Sequence, residues 1–323
     1  MKTKKLAVLS VVIAVALAVS ALAFTACGEE SSVKLDKTSV SLEVGKDVTL
    51  TATLGNENDE VVWSTSDDKV ATVSGGKVTA VAAGTAVITA QAGDAVAECA
   101  VTVANKAVSD AEGLLSAVDN AQEGDVILIN AGEYTINRTL MMDVDGVTLT
   151  ANGDVTIKSA DTWTTTDVGQ HGLFTVVADN VTLEGFTVSG AKKHSDDGHG
   201  AGTGSGINVT YKAVSGGQDG STGVVIRNVS STDNAGCGII VSSSEVTLEN
   251  VTTEGNGWGG VNIAANYGAA ELTVDEACSF GEAGQIYSDS GEVNITVNVP
   301  SDYRKVTSET STVVVWTNAE EQA

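Results

Sequence analysis

Two neighbouring stretches decide the fold: VVIRNVSSTDNAGCGIIVSSS, residues 224–244, and VTLENVTTEGNGWGGVNIAAN, residues 246–266. They align at a constant offset of 22 residues, so that Asn228 pairs with Asn250 and Ile239 pairs with Val261. A fixed period of this length indicates structural units that stack on one another and bury their apolar faces in a shared core.

Looser copies of the same unit occur at residues 147–157, 181–190 and 271–290. Each copy has short runs of alternating apolar and polar residues between turn residues, which is the pattern of β-strands. Stacked strands lie about 4.8 Å apart, so each unit can pair its backbone with the units above and below. We therefore expect the amides of Asn228 and Asn250, at equivalent turns, to hydrogen-bond from unit to unit.

One amphipathic helix precedes the repeats. The segment SDAEGLLSAVDNA (109–121) has Ser109 or Asp110 as a candidate N-cap, Glu112 in its first turn and one apolar face. That face carries Leu114, Leu115, Ala117, Val118 and Ala121.

The helix, the following EGDVILINAGEYTI (123–136) and the repeats together resemble the right-handed parallel β-helix of the pectin-lyase-like superfamily, over residues 106–318. The resemblance implies that the helix caps one end of the coil and that residues 300–322 block the other. That superfamily includes polysaccharide lyases, glycoside hydrolases, epimerases and noncatalytic adhesins. Fold alone therefore assigns no activity.

Residues 33–104 show a different pattern, with about seven short alternating runs separated by glycine turns, which predicts a two-sheet sandwich with Trp63 in its core. The segments SVSLEVGKDVTLTATL (39–54), VVWSTSDDKVATVSGGKVTAVAAGTAVITA (61–90) and AVAECAVTV (95–103) resemble the bacterial Ig-like group 2 domain. The resemblance implies a surface module that is sometimes adhesive and often a spacer. We expect a spacer that folds separately from residues 105–323.

The N-terminus reads as an export signal, with three lysines in the first five residues and an apolar run from Leu6 to Phe24. The sequence Phe24-Thr25-Ala26-Cys27-Gly28 resembles the lipobox of bacterial lipoproteins. This predicts a signal peptide at 1–26, lipid attachment at Cys27 and a tether at 27–32. The protein is then expected outside the cytoplasm, anchored to the cell membrane or cell surface through the lipid alone.

The amino-acid composition of the chain limits the classes of molecule that it can bind. Loss of residues 1–26 would remove three of the 17 basic residues and none of the 42 acidic residues, which leaves a net charge of −28. Nucleic acid is excluded as a partner on this ground. Apart from Cys27, the cysteines Cys99, Cys237 and Cys278 are scattered and odd in number, which predicts buried thiols instead of a disulfide framework.

The alternation within the coils predicts a row of outward-facing residues on neighbouring strands. It consists of Thr175, Asn208, Ile240, Asn262 and Tyr287, and it holds no charged residue. Long insertions flank this row at 158–172, 191–206 and 211–222, and insertions of that length are often functional. They carry further candidate ligand-binding residues: Trp163, His171, His194, Asp196, Asp197, His199 and Tyr211.

Four interpretations of these insertions remain open. His194, Asp196, Asp197 and His199 offer oxygen and nitrogen ligands for a metal, although their spacing fits no established motif. A lyase would use Lys192 or Lys193 as base, with calcium on the aspartates. A glycan-binding cleft would use Trp163 and Tyr211 as stacking faces, with Asn208, Asn262 and the acidic residues of the insertions as hydrogen-bonding partners. The insertions could also be plain polar surface, with Trp163 folded over the core.

The sequence thus predicts an all-β chain, an Ig-like β-sandwich followed by a right-handed parallel β-helix with a short N-terminal capping helix. Residues 106–323 carry nine basic and 30 acidic residues, a net charge of −21, which favours a neutral polysaccharide or host glycan over a polyanion. Because the outward row lacks any group that moves protons near neutral pH, we expect binding without catalysis. The alternatives are a polysaccharide lyase or glycoside hydrolase, and an adhesin or structural surface protein.

Overall fold

The computed structural model describes residues 32–56, 59–164, 172–192, 204–214, 217–281, 285–308 and 311–318. These residues are almost entirely β-structure, with one α-helix among them. No helix within these ranges is long and apolar enough to cross a membrane. The predicted signal peptide and Cys27 lie outside the described residues.

The described part of residues 33–104 forms nine strands, two more than the sequence predicted, arranged in two small sheets and one strand pair. The sheet orders are β2-β9-β8-β5 and β3-β7-β6, and β1 pairs with β4. The strands are β1 (Val33–Leu35), β2 (Ser39–Glu43), β3 (Asp47–Thr49), β4 (Ala52–Leu54), β5 (Val62–Thr65), β6 (Ala71–Ser74), β7 (Lys77–Ala80), β8 (Gly84–Ala92) and β9 (Ala95–Ala104).

The core of this domain lies between the sheets, as the alternation predicted. Leu50, Val78, Ile88 and Val101 are buried in one cluster. Trp63 is half-buried and packs against this cluster and against a second one, which confirms it as the large core residue of the domain.

The helix α1 (Ala111–Asp119) begins where the sequence predicted. Asp110 is its N-cap, and the Oδ1 atom of Asp110 accepts a hydrogen bond of 2.7 Å from the backbone N–H of Gly113. This bond satisfies one of the free amides of the first turn. Leu114 and Val118 are buried on the apolar face, so the helix packs against the first strands of the coil.

Most of the remaining strands form three stacks, and each successive coil contributes one strand to each stack; β18, β19, β30 and β31 form antiparallel pairs outside these stacks. The first stack runs from β10 through the N-terminal halves of β11 and β13 to β15, β20, β23, β26 and β29. The second runs from the C-terminal halves of β11 and β13 to β16, β21, β24 and β27. The third contains β12, β14, β17, β22, β25 and β28. All neighbours within these stacks are parallel.

The bounds of these strands follow chain order. They are β10 (Lys106–Val108), β11 (Val126–Arg138), β12 (Leu140–Met142), β13 (Thr148–Thr164), β14 (Gly172–Val176), β15 (Thr182–Glu184), β16 (Thr187–Ser189), β17 (Ser205–Val209), β18 (Tyr211–Val214), β19 (Gly217–Gly220), β20 (Val224–Arg227), β21 (Ser230–Thr232), β22 (Cys237–Ser242), β23 (Glu245–Glu249), β24 (Thr252–Glu254), β25 (Gly259–Ala264), β26 (Ala270–Val274), β27 (Ser279–Phe280), β28 (Gln285–Ser288), β29 (Ile295–Asn298), β30 (Arg304–Thr307) and β31 (Val314–Thr317).

The register confirms the 22-residue repeat. Val224 pairs with Val246, and Ile239 pairs with Ile207 on one side and Val261 on the other. The side chain of Ile239 is fully buried in the central core, as the predicted inward orientation requires. The apolar positions of successive repeats thus form one continuous core.

Asparagine side chains hydrogen-bond between successive coils at three places, Asn130 with Asn152, Asn228 with Asn250 and Asn234 with Asn256. Asn250 donates from Nδ2 to Oδ1 of Asn228 at 2.7 Å, which confirms the predicted contact between equivalent turns. Both residues have positive φ, 50° and 53°, a conformation that asparagine tolerates better than most residues. Inside the coil, Asn234 donates to Oδ1 of Asn256 at 2.8 Å.

The far end of the third stack is covered by an antiparallel pair. Strand β31 pairs antiparallel with both β28 and β30, and Val314 and Trp316 are buried against the central core. The segment after Pro300 therefore covers this edge, as predicted, which removes a row of unpaired backbone groups.

Candidate functional site

The predicted outward row exists in register on the third stack. Thr175 pairs with Asn208, Asn208 with Ile240, Ile240 with Asn262, and Asn262 with Tyr287. The row is not uniformly open, however. Thr175 and Asn208 are 1% and 2% exposed, whereas Asn262 and Tyr287 are half-buried. The available surface therefore lies on the later coils, and Asn208 does not present its amide to solvent as the glycan-cleft interpretation expected.

Tyr287 lies across the outer face of the stack. Its Cε1 atom is 3.3 Å from the place where a side chain at Gly259 would put its Cβ, and its hydroxyl is 3.1 Å from Sγ of Cys237, two strands away. Gly259 has φ of +117°, a conformation that other residues rarely adopt. A glycine on β25 thus lets the aromatic ring pass close to the sheet and reach Cys237 on β22.

Cys237 and Tyr287 themselves stay protonated at neutral pH, with the carboxylate of Asp289 near both groups. Burial raises the pKa of Cys237 to about 11. Burial, followed by the proximity of Cys237, also holds the pKa of Tyr287 well above its usual value. Asn262 donates from Nδ2 to the backbone oxygen of Tyr287 at 3.5 Å. The surface therefore offers an aromatic ring and an amide, and none of these groups exchanges protons near pH 7.

A second aromatic residue, Trp258, is next to this surface in the chain. It directly precedes Gly259 at the start of β25 and is 44% exposed. Trp258 lies in a regular turn of the repeat and not in a long insertion, so the sequence pattern did not predict it as a site residue. We call Trp258, Gly259, Asn262 and Tyr287 the Tyr287 face.

Trp163 belongs to the core. It is 4% exposed and packs in the central apolar cluster with the residues of the first coils. Of the two interpretations of this residue, the structure supports the ring folded over the core and not the exposed stacking face. Trp163 lies near the C-terminal end of β13, one residue before Thr164, which is in register with Arg138 on β11.

Tyr211 lies beyond the C-terminal end of β17, in the middle of the third stack, where the hairpin of β18 and β19 begins. Its ring packs edge-on against Tyr267, with centroids 4.4 Å apart and an angle of 64° between the rings. Burial and a hydrogen bond with Tyr267 raise the pKa of Tyr211. Tyr267, which the sequence analysis did not single out, is 59% exposed. This pair is a second aromatic surface, separate from the Tyr287 face.

The other predicted site residues, His171, His194, Asp196, Asp197 and His199, lie outside the described residues. The metal and lyase interpretations therefore remain predictions. Lys192 is described, and its Nζ is paired with Asp161. Within the described ranges, no group of three or more His, Cys, Asp and Glu side chains is arranged to hold a metal ion.

The three described cysteines confirm the prediction of buried thiols, which was made from their wide separation in the sequence. Cys99, Cys237 and Cys278 are free and buried. Burial raises the pKa of Cys99 to about 11 and that of Cys278 to about 12, so these thiols stay protonated. They are packing residues in the sense that the sequence indicated.

Comparison with solved structures gives matches of low overall similarity. A pectin methylesterase variant in complex with a hexasaccharide is 15% identical, with a TM-score of 0.35, over 58% of this chain and 62% of that one. A family 28 exopolygalacturonase from Yersinia enterocolitica is 12% identical, with a TM-score of 0.37, over 69% of this chain and 55% of that one. The chain thus spans less than two thirds of each of these two proteins, and we base no argument about activity on them.

A search among curated proteins found no match. Residues 31–103 match the family model of the bacterial Ig-like domain (group 2). The matched range coincides with the nine-stranded domain that has Trp63 in its core. This part of the chain is therefore a bacterial Ig-like domain of group 2.

Proposed function

We propose that the protein is a surface lipoprotein whose coil of three strand stacks is a right-handed parallel β-helix and binds a neutral extracellular glycan without cleaving it. The lipid would be attached at Cys27. The Ig-like domain would hold the coil away from the membrane.

The strand order supports the β-helix. Each coil passes from the first stack to the second and then to the third before the next coil begins, and neighbouring coils are parallel. Connections between parallel strands of one sheet are right-handed in about 98% of cases. A right-handed coil is therefore the expected path for this chain.

The anchor rests on the N-terminal sequence. Three lysines, an apolar run and small residues before Cys27 are the features of a lipoprotein signal. A diacylglycerol thioether and an N-terminal acyl chain together supply more than the single chain that gives only marginal membrane binding. Stable attachment of the mature chain would follow.

The observation that carries glycan binding is the Tyr287 face. A half-buried tyrosine ring lies along the sheet over Gly259, an exposed tryptophan directly precedes Gly259 in the chain, and the Asn262 amide contacts the Tyr287 backbone. Binding sites for small ligands typically combine aromatic faces with a few polar groups that fix orientation. Sugar rings have apolar C–H faces and hydroxyl edges, which suits this combination.

The net charge of the coil limits the class of glycan that it can bind. Residues 106–323 have a net charge of −21, and the five residues of the outward row carry no charge. A polyanionic glycan would be repelled unless a cation intervened. A neutral polysaccharide, either extracellular or from a host, is therefore the proposed ligand.

The test is a binding titration of the mature chain against a panel of neutral oligosaccharides, with variants at Tyr287. Tyr287→Ala is expected to weaken binding about tenfold, since an aromatic contact is worth about 1 kcal/mol beyond the buried area. Tyr287→Phe is the matched control, because it keeps the ring and removes only the hydroxyl that meets Cys237. Equal affinities of Tyr287→Ala and the parent chain would contradict the proposed site, and absence of binding to every glycan would favour an adhesin or structural role.

A further inference from the structure

The first coil differs from the later coils on its outer surface. Strand β11 carries Val126 and Leu128 at outward positions, and these side chains are 5% and 1% exposed. The same strand sends Ile127 and Ile129 into the central core. Both faces of this segment are therefore buried, which is unusual for one wall of a coil that faces solvent elsewhere.

Later coils carry mostly polar residues in the same rows, with Val225, in register with Thr182, as an apolar exception. Val126 is in register with Thr148, which is in register with Thr182. Leu128 is in register with Thr150, and the row continues to Glu184 and Arg227. At the first coil, the outward rows of Val126 and Leu128 hold apolar side chains, and both side chains are buried under another part of the chain.

The Ig-like domain is what covers them. Ala104, at the end of β9, forms a buried cluster with Val126 and Leu128, and Ala83 packs against that cluster from the turn between β7 and β8. On the next coil, Thr150 is 1% exposed, and its Oγ1 lies 3.4 Å from Oγ of Ser41 on β2. Three separate parts of the Ig-like domain thus contact the outer wall of the coil.

A single residue connects the two parts, and it is fixed on both sides. Strand β9 ends at Ala104 and β10 begins at Lys106. Between them, Asn105 donates its backbone N–H to the oxygen of Val126 at 3.1 Å, and its Oδ1 accepts from the N–H of Val126 at 2.9 Å. Its Nδ2 donates to Oδ1 of Asp125 at 2.7 Å. This connection contains no flexible linker of the glycine-rich or proline-rich kind.

Asp125 ties the helix into the same junction. Its side chain is buried, is paired with Lys106 and accepts a hydrogen bond of 2.7 Å from the backbone N–H of Gln122. Lys106 also donates to the backbone oxygen of Asn120, the residue that ends α1, at 2.9 Å. The last Ig-like strand, the capping helix and the first coil therefore share one hydrogen-bond network.

We infer that the outer wall of the first two coils is a docking surface for the chain's own Ig-like domain, and that the two parts open as one cooperative unit. The Ig-like domain is then rigidly attached to the coil. The change in sequence pattern had instead suggested a spacer that folds separately. The coil then keeps one orientation relative to the Ig-like domain. This inference does not depend on glycan binding.

Hydrogen exchange of the full chain, read by mass spectrometry, tests the coupling. Val126→Ser removes apolar contact at the docking surface, and Val225→Ser is the matched control because Val225 occupies the same outward row on a later coil, where it is half-exposed. Val126→Ser is expected to speed exchange about tenfold in β8, in the interior of the Ig-like domain, as well as in β11, because the shared opening becomes easier. Val225→Ser should leave exchange in β8 within about twofold of the parent chain.

Faster exchange in β11 with unchanged exchange in β8 would show that the domains open separately and would overturn the inference. Unchanged exchange in both strands, or equal effects of the two valine variants, would overturn it as well. Should Val126→Ser fail to fold, Asn105→Ala removes only the side-chain bonds of the junction, and the same comparison of β8 with β11 decides the question.

Discussion

The sharpest prediction of the fold concerns Ile239, which lies fully buried between Ile207 and Val261 in the third stack. Ile239→Asp would lose the burial of the isoleucine side chain, worth about 2 to 3 kcal/mol. The new carboxyl would also have to stay protonated in the apolar core, and a pKa raised by about three units costs about 4 kcal/mol at pH 7. The total of about 6 kcal/mol is as large as the whole stability of many domains.

The assay is urea unfolding followed by circular dichroism, with Asn262→Asp as the control. Asn262 is half-buried on the outer face of the same stack, and aspartate has the same shape, so this variant should change stability by about 1 kcal/mol or less. Because Ile239→Asp is expected to be largely unfolded, Ile239→Ala gives a graded measurement, with an expected loss of about 2 to 5 kcal/mol. Similar losses for Ile239→Ala and Asn262→Asp would refute the assignment of inward and outward residues.

Three further predictions follow from other parts of the chain. Replacing Cys27 with alanine should leave the protein unlipidated and release it from the membrane fraction; a membrane-bound variant with the unchanged mass of a lipidated chain would rule out the anchor. Asn250→Ala should lower stability by about 2 kcal/mol in a denaturant titration, since it removes the bond to Asn228 and places alanine at positive φ, and Asn250→Gly should recover part of that loss. The pKa of Asp125 is lowered because, although burial raises it, the hydrogen bonds from Lys106, Asn105 and the Gln122 amide outweigh that effect. The unfolded chain therefore binds this proton more readily, so the stabilisation is present above the usual aspartate pKa of 3.8 and is lost as the pH falls through the folded pKa. Between pH 6 and pH 2, the stability difference between the parent chain and Asp125→Asn should shrink, and a constant difference would contradict this assignment.

Much of the coil could be predicted because the repeat links sequence to register directly. Once Asn228 is aligned with Asn250, every inward residue of the two coils follows from alternation, and the observed pairing of Ile239 with Val261 confirms it. The helix could be predicted equally well, because its N-cap residue Asp110 and its apolar face with Leu114 and Val118 can be recognised from residues close in sequence. These features depend on residues close in sequence or one period apart.

The candidate site was harder to predict, because the exposure of an outward side chain depends on which other parts of the chain pack over it. Alternation places Thr175 and Asn208 outward, but it cannot reveal that they are covered, and it gives no reason to expect Trp163 in the core. Trp258 was not predicted as a site residue, because the candidate residues came from the long insertions and Trp258 lies in a regular turn of the repeat. The run Val126 to Ile129 did hold a usable signal, since four consecutive apolar residues indicate a strand buried on both faces.

Incubating the purified mature chain, with calcium supplied, with neutral and acidic polysaccharides shows whether the protein binds a glycan without cleaving it. Binding is measured alongside new reducing ends and unsaturated uronate absorbance. We expect retention on a neutral glycan and no products, because the Tyr287 face holds no group that transfers protons near pH 7. Product formation that disappears in the double variant Asp196→Ala, Asp197→Ala would refute the binding proposal and identify a polysaccharide lyase or glycoside hydrolase.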